Sequence, residues 1–171
     1  MTDAETQLAS FLDKYTPEVA ALARAIRARM RALYPSALEL VYDNYNALAI
    51  GYAPTEKTSE AIFSIAVFPR WVSLFFLQAQ GLPDPGKLLK GSGNVAKHVV
   101  LPSVEALDDP VLRTLMSQAV TRANVPFPKK GEHRLIIKSV SAKQRPRRPV
   151  AKASKAKRTA APRTTRVSAR G

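Results

Sequence analysis

The chain of 171 residues contains no cysteine and only two histidines, His98 and His133. The absence of cysteine excludes disulfides, thiolate metal ligands and a cysteine nucleophile, and it fits a reducing cytoplasm. Neither histidine has an acidic residue at ligand spacing, so the sequence predicts no metal site and no serine–histidine–aspartate triad. Phosphate-loop, dinucleotide-binding and zinc-protease motifs are also missing from the sequence. We therefore expect no cofactor, and nothing in the sequence positively supports an enzyme.

Long apolar runs are missing as well. Residues 1–5 are acidic rather than apolar, so no secretory signal is expected. The most apolar stretch, residues 61–79, is interrupted by Pro69 and Arg70, and its alternation favours two strands over one membrane helix. We accordingly expect no membrane span and a cytoplasmic location, either free or associated with the nucleoid.

Acidic residues are almost absent from the last quarter of the chain. Residues 129–171 contain 15 Lys and Arg against a single acid, Glu132, whereas residues 1–128 contain 12 basic and 12 acidic residues. The net charge of +14 therefore belongs to the C-terminal part alone. This partition indicates a neutral body with a cationic extension, and the two parts have to be interpreted separately.

The extension also has little with which to build a core. Residues 142–171 contain no aromatic residue, and Val150 and Val167 are their only aliphatic side chains larger than alanine. So little apolar area cannot offset the chain entropy that folding removes. We therefore predict an α+β domain at residues 1–128, an extended strand or arm at 129–141, and a disordered tail at 142–171.

The body shows helical patterns at its two ends and strand patterns between them. Thr2 and Glu5 have the spacing of a capping box, and Pro17 and Pro110 each stand at the first position of a further predicted helix. Five segments alternate, or are apolar throughout, as strands are: residues 38–43, 47–52, 62–68, 71–77 and 96–101. The predicted fold is a two-layer α+β structure, in which helices pack on one antiparallel sheet of about five strands.

Three blocks of the body, which together span roughly residues 5–123, resemble a known family. They are the helix ending at Tyr34-Pro35 with the strand that follows it, the segment from Trp71 to Gly93, and the strand at Lys97–Val99 with the later helix start at Asp108-Asp109-Pro110. In these blocks the chain resembles the YdhG-like domain family of bacterial proteins. The resemblance implies an α+β domain similar in shape to frataxin, and some relatives are described as handling iron.

Iron binding of the frataxin type uses an acidic surface on the first helix and the adjacent strand. In this sequence the polar side of the helix predicted at residues 17–33 carries Arg24, Arg27 and Arg31 instead. Hard cations need clustered carboxylates, which an arginine stripe does not provide. We therefore do not transfer iron binding to this chain from the resemblance.

The basic tail is the first candidate site. Its densest runs are similar in composition to the tails of linker-histone-like and bacterial nucleoid proteins, and neutralised phosphates would release counterions. The predicted nucleic-acid-binding residues are Lys143, Arg145, Arg147, Arg148, Lys152, Lys155, Lys157, Arg158, Arg163 and Arg166. Binding should not depend on sequence, and stacking on bases is not expected because the tail has no aromatic residue. An anionic membrane surface, or a merely solubilising extension, remains as an alternative.

A glycine-containing loop is the second candidate. Lys90, Gly91 and Gly93 precede Lys97 and His98, and exposed backbone N–H groups beside lysines can hold phosphate. The alternative is a connection whose lysines are simply solvated.

Tyrosines near a predicted turn are the third candidate. Tyr42 and Tyr45 could line a small-ligand cleft, although Tyr42 and Tyr52 are predicted to share one apolar face and to pack in the core. Trp71 is also interpreted as a core residue, with a stacking platform as the alternative.

The leading hypothesis is a non-catalytic domain of the YdhG-like kind with a tail that associates with nucleic acid without sequence preference. The alternatives are a small-molecule or metal carrier with an incidental tail, and an enzyme centred on Lys90, Lys97 and His98. The partner of the folded domain, whether a small ligand or a protein, and the oligomeric state are left open.

Overall fold

The computed structural model describes residues 3–150. Within that range the chain forms three α-helices and six β-strands, with two short 3-10 turns. In chain order these are α1 (Asp3–Leu12), α2 (Pro17–Leu33), β1 (Leu38–Asp43), β2 (Leu48–Ala53), β3 (Phe63–Val67), β4 (Val72–Phe76), β5 (Lys97–Leu101), α3 (Pro110–Thr121) and β6 (Leu135–Val140). Thr2 of the predicted capping box and the predicted tail residues from 151 to 171 lie outside the described residues.

Two of the helices begin where the sequence places them. The Thr16 hydroxyl oxygen accepts a hydrogen bond from the backbone N–H of Val19 at 3.4 Å, and Pro17 is the first helical residue. An Asp109 carboxylate oxygen accepts from the Val111 N–H at 2.8 Å ahead of the helix that starts at Pro110. Each cap satisfies a backbone donor that the first helical turn leaves without a partner. The predicted starts of α2 and α3 are confirmed.

The strands form one six-stranded sheet in the order β5-β4-β3-β2-β1-β6. Neighbouring strands are antiparallel except for β6, which runs parallel to β1. The α+β class is confirmed, but the sheet is mixed and has one strand more than the five expected. An alternating pattern shows which residues form a strand, but it does not show the direction in which that strand pairs.

The helices cover one face of this sheet. Leu48, Ile50 and Tyr52 of β2 face α1, α2 and α3 and belong to the main hydrophobic core. A smaller cluster around Leu40 and Ala53 lies on the outer face, and Tyr42 packs against that cluster. The expectation that Tyr42 and Tyr52 share a face is therefore wrong. Glu39, not Tyr42, pairs with Tyr52 across the β1–β2 ladder, and cross-strand partners project to the same face.

The folded part of the chain extends beyond the predicted boundary at residue 128. The strand β6 lies inside the segment 129–141, for which a strand or arm was predicted. The segment after it, residues 142–150, packs against the β1–β2 turn instead of being disordered as predicted: the Arg145 N–H donates to the Tyr45 carbonyl at 2.8 Å, and Arg147 is buried. The prediction weighed only apolar area, whereas hydrogen bonds and an ion pair hold this segment.

Among residues 3–150 there is no helix with the length and apolarity that crossing a membrane requires.

Candidate nucleic-acid interface

One end of the sheet brings together four segments that are distant in sequence. The β1–β2 and β3–β4 connections, residues 44–47 and 68–71, turn at this end because β1 and β3 both pair antiparallel with β2. The parallel strand β6 also finishes there, so residues 141–150 continue over the same end. The α1–α2 connection, residues 13–16, contributes the fourth segment. The six-stranded topology therefore concentrates turns and a basic segment in one place.

Asp43 fixes the basic segment to the body. Its carboxylate is 1% exposed and accepts hydrogen bonds from Arg147 Nη2 at 2.9 Å and from Lys14 Nζ at 3.2 Å. Arg147 is itself only 5% exposed, and its guanidinium also donates to the carbonyls of Asn44 and Tyr45. Such charge-assisted bonds offset part of the desolvation of both ions, while Arg147 Nε is buried without a hydrogen-bond partner among the described residues. Arg147 therefore anchors the basic segment internally. The prediction that its charge is presented to phosphate is wrong.

Tyr15 joins this anchor to the core. Its hydroxyl donates to the Val67 carbonyl at 2.7 Å and accepts from the Leu48 N–H at 3.1 Å, so it ties the α1–α2 connection to β2 and β3. Burial raises the pKa of the Tyr15 hydroxyl to about 12, which keeps the donor protonated. The guanidinium of Arg147 lies 5.9 Å from the centre of the Tyr15 ring, a cation–π distance. The α1–α2 connection next to the basic segment is thus held by hydrogen bonds to β2 and β3.

The other cations of the segment face outward. Lys143, Arg145 and Arg148 are exposed, as the sequence predicts for phosphate-binding residues. The guanidinium of Arg145 lies 5.9 Å from the centre of the Tyr45 ring, and Arg148 Nε donates to the Lys14 carbonyl at 3.2 Å. These side chains are held on a backbone with fixed hydrogen bonds, which lowers the ordering entropy that a phosphate contact would cost.

An aromatic cavity adjoins these cations. Its volume is about 650 Å³, and its wall includes Asn46, Phe68, Arg70, Trp71, Arg145 and Arg148. Phe68 and Trp71 flank the two-residue turn between β3 and β4, and their rings stack with centroids 4.9 Å apart and planes 22° apart. Trp71 is 42% exposed, so its interpretation as a core residue is wrong. The cue in the sequence was its place beside a turn, where one side of a ring is often left open.

The second predicted site, in the loop before β5, is brought together only in part. The Asp84 carboxylate accepts from the N–H groups of Leu88 and Leu89, each at 2.9 Å, so these two backbone donors are not open to a phosphate. Lys90 and His98 exchange backbone hydrogen bonds. Lys97 lines a cavity of about 230 Å³ together with Asp84, whose negative charge opposes an anion. No cavity described for residues 3–150 brings Lys97 together with the other predicted members of this site.

The remaining members of that site are accounted for by local structure. Gly91 has a backbone φ of 118°, which favours glycine, and Gly93 is exposed. The ring of His98 stacks on Phe75 with centroids 5.0 Å apart. Because His98 and Lys97 are adjacent in a strand, their side chains project to opposite faces of the sheet. Lys97 is thus directed away from His98, whereas Lys90 and Gly91 lie beside His98.

The third predicted site is also divided. The Tyr42 hydroxyl hydrogen-bonds to the Thr58 hydroxyl on the outer face of the sheet. Tyr45 is exposed on the β1–β2 turn beneath Arg145. Of the two tyrosines, only Tyr45 lies beside the basic segment, and the structure gives no common cleft for the pair within the described residues.

A second buried carboxylate, Glu39, lies toward the other end of β1. It is 0% exposed and accepts hydrogen bonds from Arg27 Nε and Nη2 at 2.8–3.2 Å, from His133 Nε2 at 2.5 Å and from the Tyr52 hydroxyl at 3.0 Å. The guanidinium of Arg27 also pairs with Glu5, so it points inward and is not on a solvated face as the helix pattern suggested. Amphipathic periodicity places a residue on a face but cannot show that a long side chain reaches a buried acid.

The Glu39 cluster satisfies its own hydrogen-bonding groups. Arg31 Nη2 lies 3.3 Å from His133 Nδ1, while His133 Nε2 faces Glu39, so the imidazole lies between a guanidinium and a carboxylate. Burial opposes ionisation of Glu39, but the hydrogen bonds from His133 and Arg27 outweigh it and hold the pKa of Glu39 below its usual 4.5. Within residues 3–150, no group of three or more His, Asp or Glu side chains is arranged to hold a metal ion.

Comparison of the chain with models of known protein families, with curated proteins and with solved structures gave no match. The resemblance to the YdhG-like family therefore stays a prediction.

Proposed function

We propose that this protein is a non-catalytic nucleic-acid-associated module whose cationic C-terminal part contacts phosphates without sequence selectivity. The observation that carries the proposal is the anchorage of residues 142–150 through Arg147 and Asp43, which leaves Lys143, Arg145 and Arg148 exposed at one end of a neutral body. Val150, at the wall of the aromatic cavity, is followed in sequence by seven further Lys and Arg residues and no acid. The ion pair between Arg147 and Asp43 thus fixes the start of the cationic part to the body.

The physical basis of such binding is counterion release. Each phosphate neutralised on duplex DNA adds about −0.9 to the slope of log K against log salt concentration, whatever the base sequence. Phosphate contacts of this kind position a protein but do not read bases. The proposal therefore predicts affinity that falls steeply with salt and differs little between duplexes of different sequence.

The test compares two full-length variants with equal changes in charge. The first replaces Lys152, Lys155, Lys157, Arg158, Arg163 and Arg166 by glutamine. The second replaces six exposed cations of the body, namely Arg24, Lys57, Lys87, Lys90, Arg113 and Arg122. Binding of a labelled mixed-sequence duplex is measured by fluorescence anisotropy over a salt series.

We expect the tail variant to lose up to about 5 units of the salt slope, while the body variant stays close to wild type. Equal losses in both variants would show that only net charge matters, and would contradict a dedicated tail. Absence of binding by the wild-type chain at low salt would reject the proposal altogether.

A further inference from the structure

The pair formed by Phe68 and Trp71 has the geometry of a stacking platform. The two residues close the β3–β4 hairpin, since the Phe68 N–H donates to the Trp71 carbonyl at 2.9 Å, and their side chains are therefore placed on the same side. One face of the indole lies against Phe68, whereas 42% of the Trp71 residue remains exposed. A large flat ring, supported from one side and open on the other, can accept another flat ring.

The surroundings of this platform are positively charged. Arg70, Arg145 and Arg148 line the cavity, and none of the residues described at its wall is acidic. Its volume, about 650 Å³, is within the range of small-ligand sites and is large enough for a nucleotide unit. A stacking platform with cations around it is complementary to a base that has a phosphate on either side.

Other occupants fit this chemistry less well. A second copy of the chain would be repelled from the cationic rim through its own C-terminal part, and its neutral body brings no net negative charge to the rim. A lipid surface is usually bound by protruding aliphatic and aromatic side chains, whereas Trp71 lies against Phe68 inside a cavity walled partly by Pro146 and Pro149. In duplex nucleic acid the bases are already stacked on each other and do not present a free face. An unpaired base satisfies both the aromatic and the charged parts of the site.

We propose that the cavity between the 68–71 turn and the 145–150 segment binds an unpaired base of single-stranded nucleic acid. The base stacks on the open face of Trp71, and Arg70, Arg145 and Arg148 neutralise the adjoining phosphates. Every base has a π-face, so the site selects single strands without selecting their sequence. This inference rests on the proposed function, because it adds a contact with unpaired bases to the phosphate binding of the same cationic part.

The experiment uses the only tryptophan of the chain as its reporter. Full-length protein is titrated with an unlabelled oligothymidylate of about 12 nucleotides and with a duplex of the same length. Intrinsic fluorescence is followed together with the anisotropy of labelled copies. Stacking on Trp71 should quench its emission on addition of the single strand and leave it nearly unchanged on addition of the duplex.

Three full-length variants complete the design. Trp71→Ala should weaken single-strand binding by about 5- to 150-fold, the effect of losing one base–aromatic stack, and should change duplex affinity by less than about 2-fold. Trp71→Phe keeps a ring and should retain most of the single-strand affinity. Val100→Ala, which truncates another exposed apolar residue on β5, should behave as wild type. Thermal unfolding monitored by circular dichroism confirms that each variant is folded.

The outcomes separate this inference from the function on which it rests. Single-strand and duplex binding that both survive in Trp71→Ala, without quenching in the wild type, would overturn the stacking site and leave the tail's phosphate binding intact. Absence of binding to either nucleic acid would overturn both. Quenching by vesicles of phosphatidylcholine and phosphatidylglycerol, but not by oligonucleotides, would overturn the inference in favour of a lipid surface.

Discussion

Glu39 and Asp43 are two buried acids on the same strand, and they bind cations from different parts of the chain. Both point from β1 toward the helices, and both are almost completely shielded from water. Each is neutralised by cations from elsewhere in the chain, as a buried carboxylate must be. The chemistry of the two sites is therefore similar, and the difference lies in what each pair holds in place.

The partners of Glu39 build the fold. Arg27 belongs to α2, Tyr52 to β2, and His133 precedes β6, so the cluster joins one helix to three strands, including β1 itself. The partners of Asp43 position a surface, because Arg147 carries the basic segment and Lys14 lies in the α1–α2 connection. One ion cluster thus fixes the order of the sheet, and the other brings cations beside the aromatic cavity. Similar buried ion pairs can thus stabilise the fold in one place and position a surface segment in another.

The strongest way to break this contrast is Glu39→Ala. It leaves the guanidinium of Arg27 and the imidazole of His133 without their buried acceptor, and we expect a loss of about 3–5 kcal/mol in the free energy of unfolding. Urea denaturation followed by circular dichroism measures the change. The matched control is Glu56→Ala, since Glu56 pairs with Arg134 at the surface and is 57% exposed. That control should lose no more than about 1 kcal/mol. Similar losses in the two variants would refute a fold-building role for the Glu39 cluster.

A smaller effect is expected from Arg147→Met. Asp43 keeps Lys14 at 3.2 Å, so we expect a loss of about 2–3 kcal/mol in the free energy of unfolding. Release of residues 142–150 should also speed tryptic cleavage after Lys143, which is followed by Gln144, and reduce Trp71 quenching by the single strand.

The control for this variant is Arg148→Met. Arg148 is exposed and donates one hydrogen bond, to the Lys14 carbonyl, so its loss should change the unfolding free energy by about 0.5 kcal/mol or less. If trypsin cleaves the Arg147→Met variant after Lys143 no faster than it cleaves the Arg148→Met variant there, Arg147 is not the anchor of residues 142–150.

The mildest perturbation is pH. The pKa of Glu39 is lower in the folded chain than its usual 4.5, so its contribution to stability is present above that value and is lost as pH falls through the folded pKa. Glu5 acts in the same direction, because its hydrogen bond from Arg27 also lowers its pKa. We expect this contribution to stay constant between pH 7 and pH 5, and to fall in more acidic solution. Urea denaturation at each pH measures it, and the Glu39→Ala variant should show a flatter decline below pH 4.5 than the wild type. An equally steep decline in both would assign the acid sensitivity to other groups.

Local sequence patterns predicted the helices and most of the strands. The caps at Thr16 and Asp109 and the turn at Pro69-Arg70 depend on neighbouring residues only, and the structure has them where they were expected. The parallel pairing of β6 was not predictable in this way, because it depends on where the chain returns after α3. The same holds for Arg27, whose side chain reaches an acid twelve positions along the chain.

The candidate site shows the same division. Sequence identified the cations Lys143, Arg145 and Arg148, because exposure of charged side chains is the usual outcome of their hydration. It placed Trp71 in the core because the sequence does not show that Arg145 and Arg148 return to the turn formed by residues 68–71. The sequence also predicted that Arg147 is exposed, because composition alone cannot show that Arg147 pairs with the buried Asp43.

The sequence by itself determined the partition of charge, the helix starts and the α+β class, because these follow from composition and from contacts between near neighbours. Only the tertiary structure decided that a basic segment with almost no apolar area is anchored, and that its cations lie beside Trp71. The physical reason is that burying Arg147 against Asp43, and closing β6 onto β1, are long-range pairings whose partners are more than 90 residues apart in the chain.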